Sequence, residues 1–406
     1  MAAALDRAMV EGRLRIVAGL IRITGDWELA QDCVQDAAVR ALDRWPHDGL
    51  PDNPLAWLTT IAQRRAIDVL RRRRTEREKL AVLQRLSERE PTQMSASDDR
   101  LALLFTCCHP ALPLAGRVAL TLKTVSGLST REVARAFLVS EATMGQRLLR
   151  TKNKITHAGI SFQVPAPHRL AERTAGVLAV VYLLFNEGYS ATEGDGVRDD
   201  LTVEALTLSG LLAELLPDDD EVHSLRALLL LQQARRAARL DADGDLVPMD
   251  EQDRSRWNQR QIGEGINCLL AARATGRTAG PYRLQAEIAA RHSTAPSADQ
   301  TDWAGIVDCY DALLRRQDSP VVALNRAVAI GFRDGPDPGL AALSQVETDP
   351  RLSGYHLVPA VRADLLRRAG RTPMALEAYR DALAAAPTAA ERRFLRRRLR
   401  ELGAPD

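Results

Sequence analysis

Ala, Leu, Arg and Glu recur at spacings of three and four residues through most of this 406-residue chain, while alternation of β-branched residues is short wherever it occurs. That periodicity lines apolar side chains along one face of an α-helix and leaves no material for an extensive sheet. The expected fold class is therefore all-α. Turn-forming residues interrupt the pattern at PHDGLPDNP (46–54), PTQMSASDD (91–99) and SFQVPAP (161–167), with further breaks at 241–248 and 291–301. These breaks predict a helical unit over 1–88, a linker over 89–97, a second unit over 98–160 and a linker over 161–169. A helical extension over 170–297 and a set of helical repeats over 298–406 complete the expected organisation.

Apolar residues make up 46% and charged residues 27%, a globular balance, and no window approaches the ~18 uncharged apolar residues of a membrane span. The start, MAAALDRAMVEGRLRIVAGLIRI, breaks its apolar run with Asp6, Glu11, Arg13 and Arg15, unlike a secretory signal. A soluble, cytoplasmic protein without a membrane partner is expected. Cys33, Cys107, Cys108, Cys268 and Cys309 lack the paired spacing of a zinc site, so neither a metal, a disulfide nor a cofactor is indicated. Charge is unevenly spread. Residues 1–169 carry 26 Lys and Arg against 18 Asp and Glu, and residues 170–406 carry 29 against 35. Such asymmetry is expected where one part meets nucleic acid and the other does not.

In LTLKTVSGLSTREVARAFLVSEATMGQRLLRTKNKI, Ser129 is placed to cap a short helix with Val133, Ala134 and Phe137 inward, and Ser140 to cap the next. Met144, Leu148 and Ile155 form the buried stripe of that second helix, which is helix-turn-helix syntax. Glu141, Ala142, Gln146, Arg147, Arg150 and Lys154 then face outward. Gln and Arg pair bidentately with base edges, and Arg and Lys neutralise phosphates. An αα-hairpin with a solvated basic face is the bland alternative. Eight basic residues against two acidic ones over 115–155 favour DNA.

The first unit is of opposite character in its two halves. GDWELAQDCVQDAAVRALDRW brings Asp26, Glu28, Asp32, Asp36 and Asp43 together, a surface that repels phosphate and suits a basic protein partner. NPLAWLTTIAQRRAIDVLRRRR then follows Asn53 and Trp57 with Arg64, Arg65 and Arg71 to Arg74. An aromatic ring with guanidinium groups suits unpaired strand, because the planes stack on bases while the charges track the backbone. Trp57 also reads as a partial core residue, and Asp68 as a helical-spacing partner of Arg64 or Arg71.

GDWELAQDCVQDA, PLAWLTTIAQRRAIDVLRR and the helix-turn-helix together resemble regions two and four of an extracytoplasmic-function RNA polymerase sigma factor of the sigma-70 family. DDRLALLFTCCHPAL, AGISFQVP, YLLFNEGYSATEGDG, DADGDLVPMDEQDRSRW and PYRLQAEIAARH resemble the subgroup with a long C-terminal tetratricopeptide-like extension. The resemblance implies that Asp32, Gln35 and Asp36 face core RNA polymerase. It implies that Asp48 to Asn53 with Trp57, Arg64, Arg65 and Asp68, flanked by Arg71 and Arg72, face the −10 strand of promoter DNA, and that the helix-turn-helix reads the −35 element. Arg64 stands where many members of that family have Asn.

Near the end, Gly370, Ala375, Tyr379, Ala382 and Pro387 fit the small–large alternation of a tetratricopeptide repeat, and Ala323, Ala327, Gly339 and Ala341 repeat the plan loosely. Residues 303–320 are expected to supply an earlier helix pair. Such stacks offer a concave surface, here for a protein or peptide regulator. In the resembled subgroup an Asp-Gly-Pro-centred motif lies in the extension, and Asp334, Gly335 and Pro336 match it; a plain turn between helices is the simpler reading. Asp241, Asp243 and Asp245 imitate a calcium loop, but Leu246 and Gln252 stand where Gly and Glu are needed. Asn186, Glu187, Tyr189, Glu193, Asp195 and Gly196 form a polar loop without a nucleophile–base pair.

The sequence thus reads as a sigma factor, not an enzyme, whose extension regulates or supports its activity. A stand-alone helix-turn-helix regulator with a C-terminal sensing domain is the rival, and an enzyme built around 180–260 a third reading.

Overall fold

Side-chain oxygens open the early helices by accepting from first-turn N–H groups that have no intrahelical partner. Helix α1 (Ala2–Thr24) ends at Gly25, where φ is +64°. Asp26 then accepts from the N–H groups of Glu28 and Leu29, both at 3.0 Å, and starts α2 (Trp27–Asp48). Asn53 accepts from Ala56 N–H at 3.0 Å at the head of α3 (Pro54–Arg77). The three helices pack on one another, α2 burying Trp27, Ala30, Val34, Ala37, Ala41 and Trp45 at spacings of three and four. The computed structural model describes residues 2–77, 96–125, 127–137, 139–190, 199–241 and 244–403. The expected break at 91–99 and linker at 89–97 lie largely outside them.

Helix α4 (Ala96–Cys107) carries an unbroken buried run, Leu101 to Cys107, so it has no wet face there. It packs on both α1 and α5 (Leu114–Thr124), and Arg22 of α1 reaches the buried Asp99 at 3.0 Å. Helix α6 (Thr130–Ala136) opens with a reciprocal cap: Ser129 N–H donates to Glu132 Oε2 at 2.7 Å, and Glu132 N–H to Ser129 Oγ at 3.2 Å. Ser140 Oγ accepts from Thr143 N–H at 3.2 Å and starts α7 (Glu141–His157). Helix α8 (Pro167–Ser190) follows; Arg173 donates to the Phe105 carbonyl at 2.5 Å. The chain divides into two compact units, Met1–Leu184 and Phe185–Asp406.

The second unit begins with α9 (Asp199–Leu215) and α10 (Asp220–Ala234), the latter capped by Asp219 and packed on α9, α11 (Gln259–Ala274) and α12 (Pro281–Thr294). From there each helix packs on the next: α13 (Trp303–Arg316), α14 (Pro320–Arg333), α15 (Pro336–Ser344), α16 (Leu357–Arg368), α17 (Thr372–Ala385) and α18 (Ala389–Glu401). Close approach of α14 and α15 depends on two glycines, since a Cβ on Gly339 would lie 2.8 Å from Gly331 Cα. Ala375, Tyr379 and Ala382 are core residues beside Ala363, Leu366 and Leu395. Two sequence expectations are corrected. Residues 303–320 give one helix and the start of the next rather than a pair, and Ala341 is exposed although Ala327 and Gly339 are buried. Among the described residues the fold is all-α, with an isolated antiparallel bridge between Leu240 and Leu246. None of these helices is long and apolar enough to cross a membrane.

Candidate nucleic-acid interface

Helix α7 offers the most defined outward row. Met144, Leu148 and Ile155 are at most 5% exposed, and the opposite face turns Glu141, Ala142, Gln146, Arg150 and Lys154 to solvent. Arg147 is half-buried, its guanidinium 5.2 Å above the Phe137 ring, so this arginine is held by a cation–π contact rather than left to sample rotamers. Phe137, expected inside, is itself only half-buried and serves as that platform. A depression of about 570 Å³ runs between the start of α5 and α7, its wall formed by Gln146, Arg147, Arg150 and Lys154. Gly116 makes the two helices fit, because a Cβ there would meet Thr151 Oγ1 at 2.8 Å.

Not all the basic residues of this part serve one surface. Arg117 donates to the carbonyls of Leu112 at 2.7 Å and Pro110 at 2.9 Å, and Lys152 reaches Glu28 at 3.5 Å. Lys123 is half-buried, and burial, then the charges of Arg13 and Lys152, lower its pKa. Arg150 and Lys154 have no ion-pair partner among the described residues. Thr143, exposed on the same row with its hydroxyl 2.8 Å from Ser140 Oγ, was not singled out in the sequence.

Helix α3 presents a second exposed row at helical spacing, running from Asn53 through Arg64 and Asp68 to Arg71 and Arg72. Gln63 and Ile67 share it, Ile67 being 42% exposed. Asp48 at the end of α2 and Leu50, Asp52 and Asn53 in the loop after it are exposed. Trp57 is half-buried and meets the buried Trp45 edge-on at 5.6 Å, so the ring is part of the core as well as of the surface. Arg65 lies apart from the row: its Nε donates to Asp36 Oδ2 at 2.8 Å. Side chains of Arg73 and Arg74 are not among those described.

That ion pair links the strand-facing candidates to the acidic helix. On α2, Asp32 and Gln35 are exposed and Asp36 is half-exposed, all opposite the buried stripe. Val39 and Leu42 stand on the same face, 64% and 57% exposed. The sequence carried the signal for them, since both fall outside the three-and-four spacing of the buried residues, but only the polar residues of this helix were singled out there. Cys33 lies beneath this face; burial, ahead of any nearby charge, pushes its thiol up. The paired Cys107 and Cys108 are likewise shifted up by burial, Cys108 to about 12, which keeps both as inert thiols.

The polar clusters of the second unit are consumed structurally. Arg397 meets Asp241 at 3.2 Å, Arg393 meets Asp245 at 2.5 Å, and Asp245 N–H donates to Asp241 Oδ1 at 2.8 Å. Tyr189 stacks on Phe185 at 5.3 Å and lies under the Arg239 guanidinium at 4.0 Å. Asp243, Glu193, Asp195 and Gly196 lie outside the described residues. Asp334 and Gly335 make the turn between α14 and α15, with φ of +101° at Gly335, and Pro336 opens α15.

Comparison with known proteins agrees with this geometry. Residues 9–76 match Sigma-70 region 2, residues 102–155 match Sigma-70 region 4, and residues 173–273 match a family of unknown function, DUF6596. An uncharacterized protein of Rhizobium meliloti (strain 1021) is 43% identical over 410 residues, covering 98% of this chain and 96% of the relative. No solved structure matches. Three helices matching region 2, a helix-turn-helix matching region 4 and a long helical C-terminal part together make the chain a member of the sigma-70 family, an extracytoplasmic-function-like sigma factor with a C-terminal extension.

Proposed function

We propose that this sigma factor, whose role is promoter recognition, docks on core RNA polymerase through the outer face of α2. Asp32, Gln35 and Asp36 supply the charge that a basic partner meets, and Val39 and Leu42 supply apolar area at its centre. The 48–53 loop with Trp57, Arg64, Asp68, Arg71 and Arg72 holds the −10 strand, and α7 reads the −35 element through Gln146, Arg147 and Arg150, with Lys154 on phosphate. Arg65 positions this surface through Asp36 rather than reaching DNA first. Chemistry belongs to the polymerase, in the cytoplasm. The C-terminal extension, a tetratricopeptide-like stack, sets the activity of the factor, and the domain limits follow the breaks near residues 88–98 and 161–169.

The observation that carries this reading is the outward row of α7, where Arg150 and Lys154 stand without an ion-pair partner among the described residues, over a closed apolar stripe. Run-off transcription with purified core enzyme tests it: the full chain is expected to start transcripts at its own promoters. Because Asp36 also holds Arg65, the cleaner docking variant is Asp32→Arg with Val39→Asp, two exposed positions. That double variant should lose co-purification with core enzyme while keeping its thermal unfolding, and undiminished capture would falsify the docking face.

A further inference from the structure

The second unit encloses a cavity of about 320 Å³ among α13, α14, α16, α17, α18 and the segment around Asp250, at the lower end of the size range for small-molecule sites. The chain has only 5 Trp, 6 Tyr and 6 Phe, yet Trp303, Tyr310, Phe332, Tyr379 and Phe394 converge here. Trp303 and Phe332 stack at 4.2 Å with an interplanar angle of 8°, and the Arg368 guanidinium lies 3.9 Å over Phe332. Two groups that close cannot share one face of a ring, so Phe332 is clamped between them. The aromatic wall is fixed before any ligand arrives, which lowers the entropy lost on binding.

The polar groups of the cavity are unequally satisfied. Arg254 donates to the carbonyls of His292 at 2.6 Å and Ala295 at 2.9 Å. Arg398 donates to Glu251 and, at 2.8 Å, to Glu401, leaving only Nε without an acceptor. The acceptors are freer. Arg367 holds Oδ1 of Asp364 at 2.6 Å, and among the described residues neither Oδ2 of Asp364 nor the Asp250 carboxylate has a side-chain partner. Thr301, 7% exposed, lines the same space, and its buried hydroxyl has no hydrogen-bond partner among the described residues. Asp250, exposed where it lines the cavity, has its pKa raised by desolvation and then by the carboxylates of Glu251 and Asp364, and lowered by the charge of Arg398, so an added cation acts alongside Arg398.

The geometry points to a receptor site for a small organic cation, an ammonium or guanidinium on an aromatic or apolar body, held between the Trp303–Tyr310 wall and the carboxylates of Asp250 and Asp364, with Thr301 as a further hydrogen-bonding group. The site makes the extension a sensor of a soluble amine. It stands on the second unit alone and does not depend on the promoter-recognition reading.

Calorimetric titration of the full-length protein with phenethylamine tests it, with 2-phenylethanol and phenylacetate as the neutral and anionic counterparts of the same ring. Saturable binding of phenethylamine is expected, with neither counterpart binding. Asp250→Asn is expected to weaken binding by about tenfold or more, the range for hydrogen bonds to charged groups. No saturable heat with phenethylamine at millimolar concentration overturns the site. So does equal binding of 2-phenylethanol, which would make the cavity an uncharged aromatic slot, or an Asp250→Asn protein that binds as tightly as the parent. Should Asp250→Asn fail to fold, Thr301→Val and the comparison of the three ring compounds still decide between these outcomes.

Discussion

The two units differ in how many of their arginines are spent on ion pairs within the unit. In the second unit Arg273 meets Glu287 at 2.5 Å, Arg326 meets Asp311 at 2.5 Å, Arg362 meets Glu347 at 2.5 Å, Arg371 meets Asp337 at 2.6 Å and Arg397 meets Asp241 at 3.2 Å. Their charge is spent inside the molecule, mostly tying an element to one close by in the chain and, for Arg397, to one 156 residues away. In the first unit Arg64, Arg72, Arg131 and Arg150 have no ion pair among the described residues. An excess of cations thus identifies a surface only after the internally paired ones are removed. Arg65 and Lys152 show that even the first unit keeps some of its cations for itself.

The contrast can be broken from its largest expected effect downwards. His292 sits beside the cavity of the second unit, where burial first and then the charges of Arg235 and Arg254 lower its pKa from 6.5 to about 4. A folded pKa below the unfolded one means that the unfolded chain takes up a proton the folded chain refuses. The stability present above pH 6.5 is therefore lost as pH falls towards about 4, on the order of 3 kcal/mol in all. Urea unfolding across that window should show the loss, and His292→Gln should flatten its share of the slope. A pH-independent midpoint would mean that the imidazole is not held neutral.

Next in size, Arg398→Ala should destabilise the second unit by roughly 2 kcal/mol. It strands Glu251 and leaves Glu401 only Arg397 at 3.9 Å, and the two carboxylates are 40% and 45% exposed and so partly relieved by solvent. Arg150→Ala, by contrast, should leave the thermal midpoint unmoved while weakening promoter binding. A comparable loss of stability in both would erase the distinction between the units.

Within α7 the contrast sharpens further. Arg147→Ala should cost about 1–3 kcal/mol at the cognate site and relax preference at one base, whereas Lys154→Ala should weaken all sequences alike and lower the salt slope by about one. Binding isotherms at several salt concentrations on cognate and scrambled duplexes separate the two. The smallest effect belongs to Lys152→Ala, which breaks a pair with a 70%-exposed Glu28. Less than about 1 kcal/mol of stability should be lost, with base preference unchanged. Altered preference would put Lys152 on DNA after all.

Local chemistry made much of this legible in advance. The Ser129 and Ser140 caps and the buried stripe of Met144, Leu148 and Ile155 are interactions within one or two helical turns, so spacing alone located them. The family resemblance pointed to Asp32 and Gln35 on the outside of α2, yet spacing did not find Val39 and Leu42, because an aliphatic residue on a helix looks like core until the neighbouring helices show which side is covered. Residues 303–320 were over-read for a related reason: small–large alternation is shared by single helices and helix pairs, and only packing tells them apart.

By itself the sequence determined the all-helical class, the cap positions, the helix-turn-helix and its outward row, since these depend on residues three or four apart. Tertiary structure alone decided which cations remain unpaired, why Arg65 turns to Asp36, and that Trp303, Tyr310, Phe332, Asp250 and Asp364 share one cavity. Those contacts join residues tens to more than a hundred positions apart, as Arg397 and Asp241 do, and no local period of a chain encodes the partner a distant helix will supply.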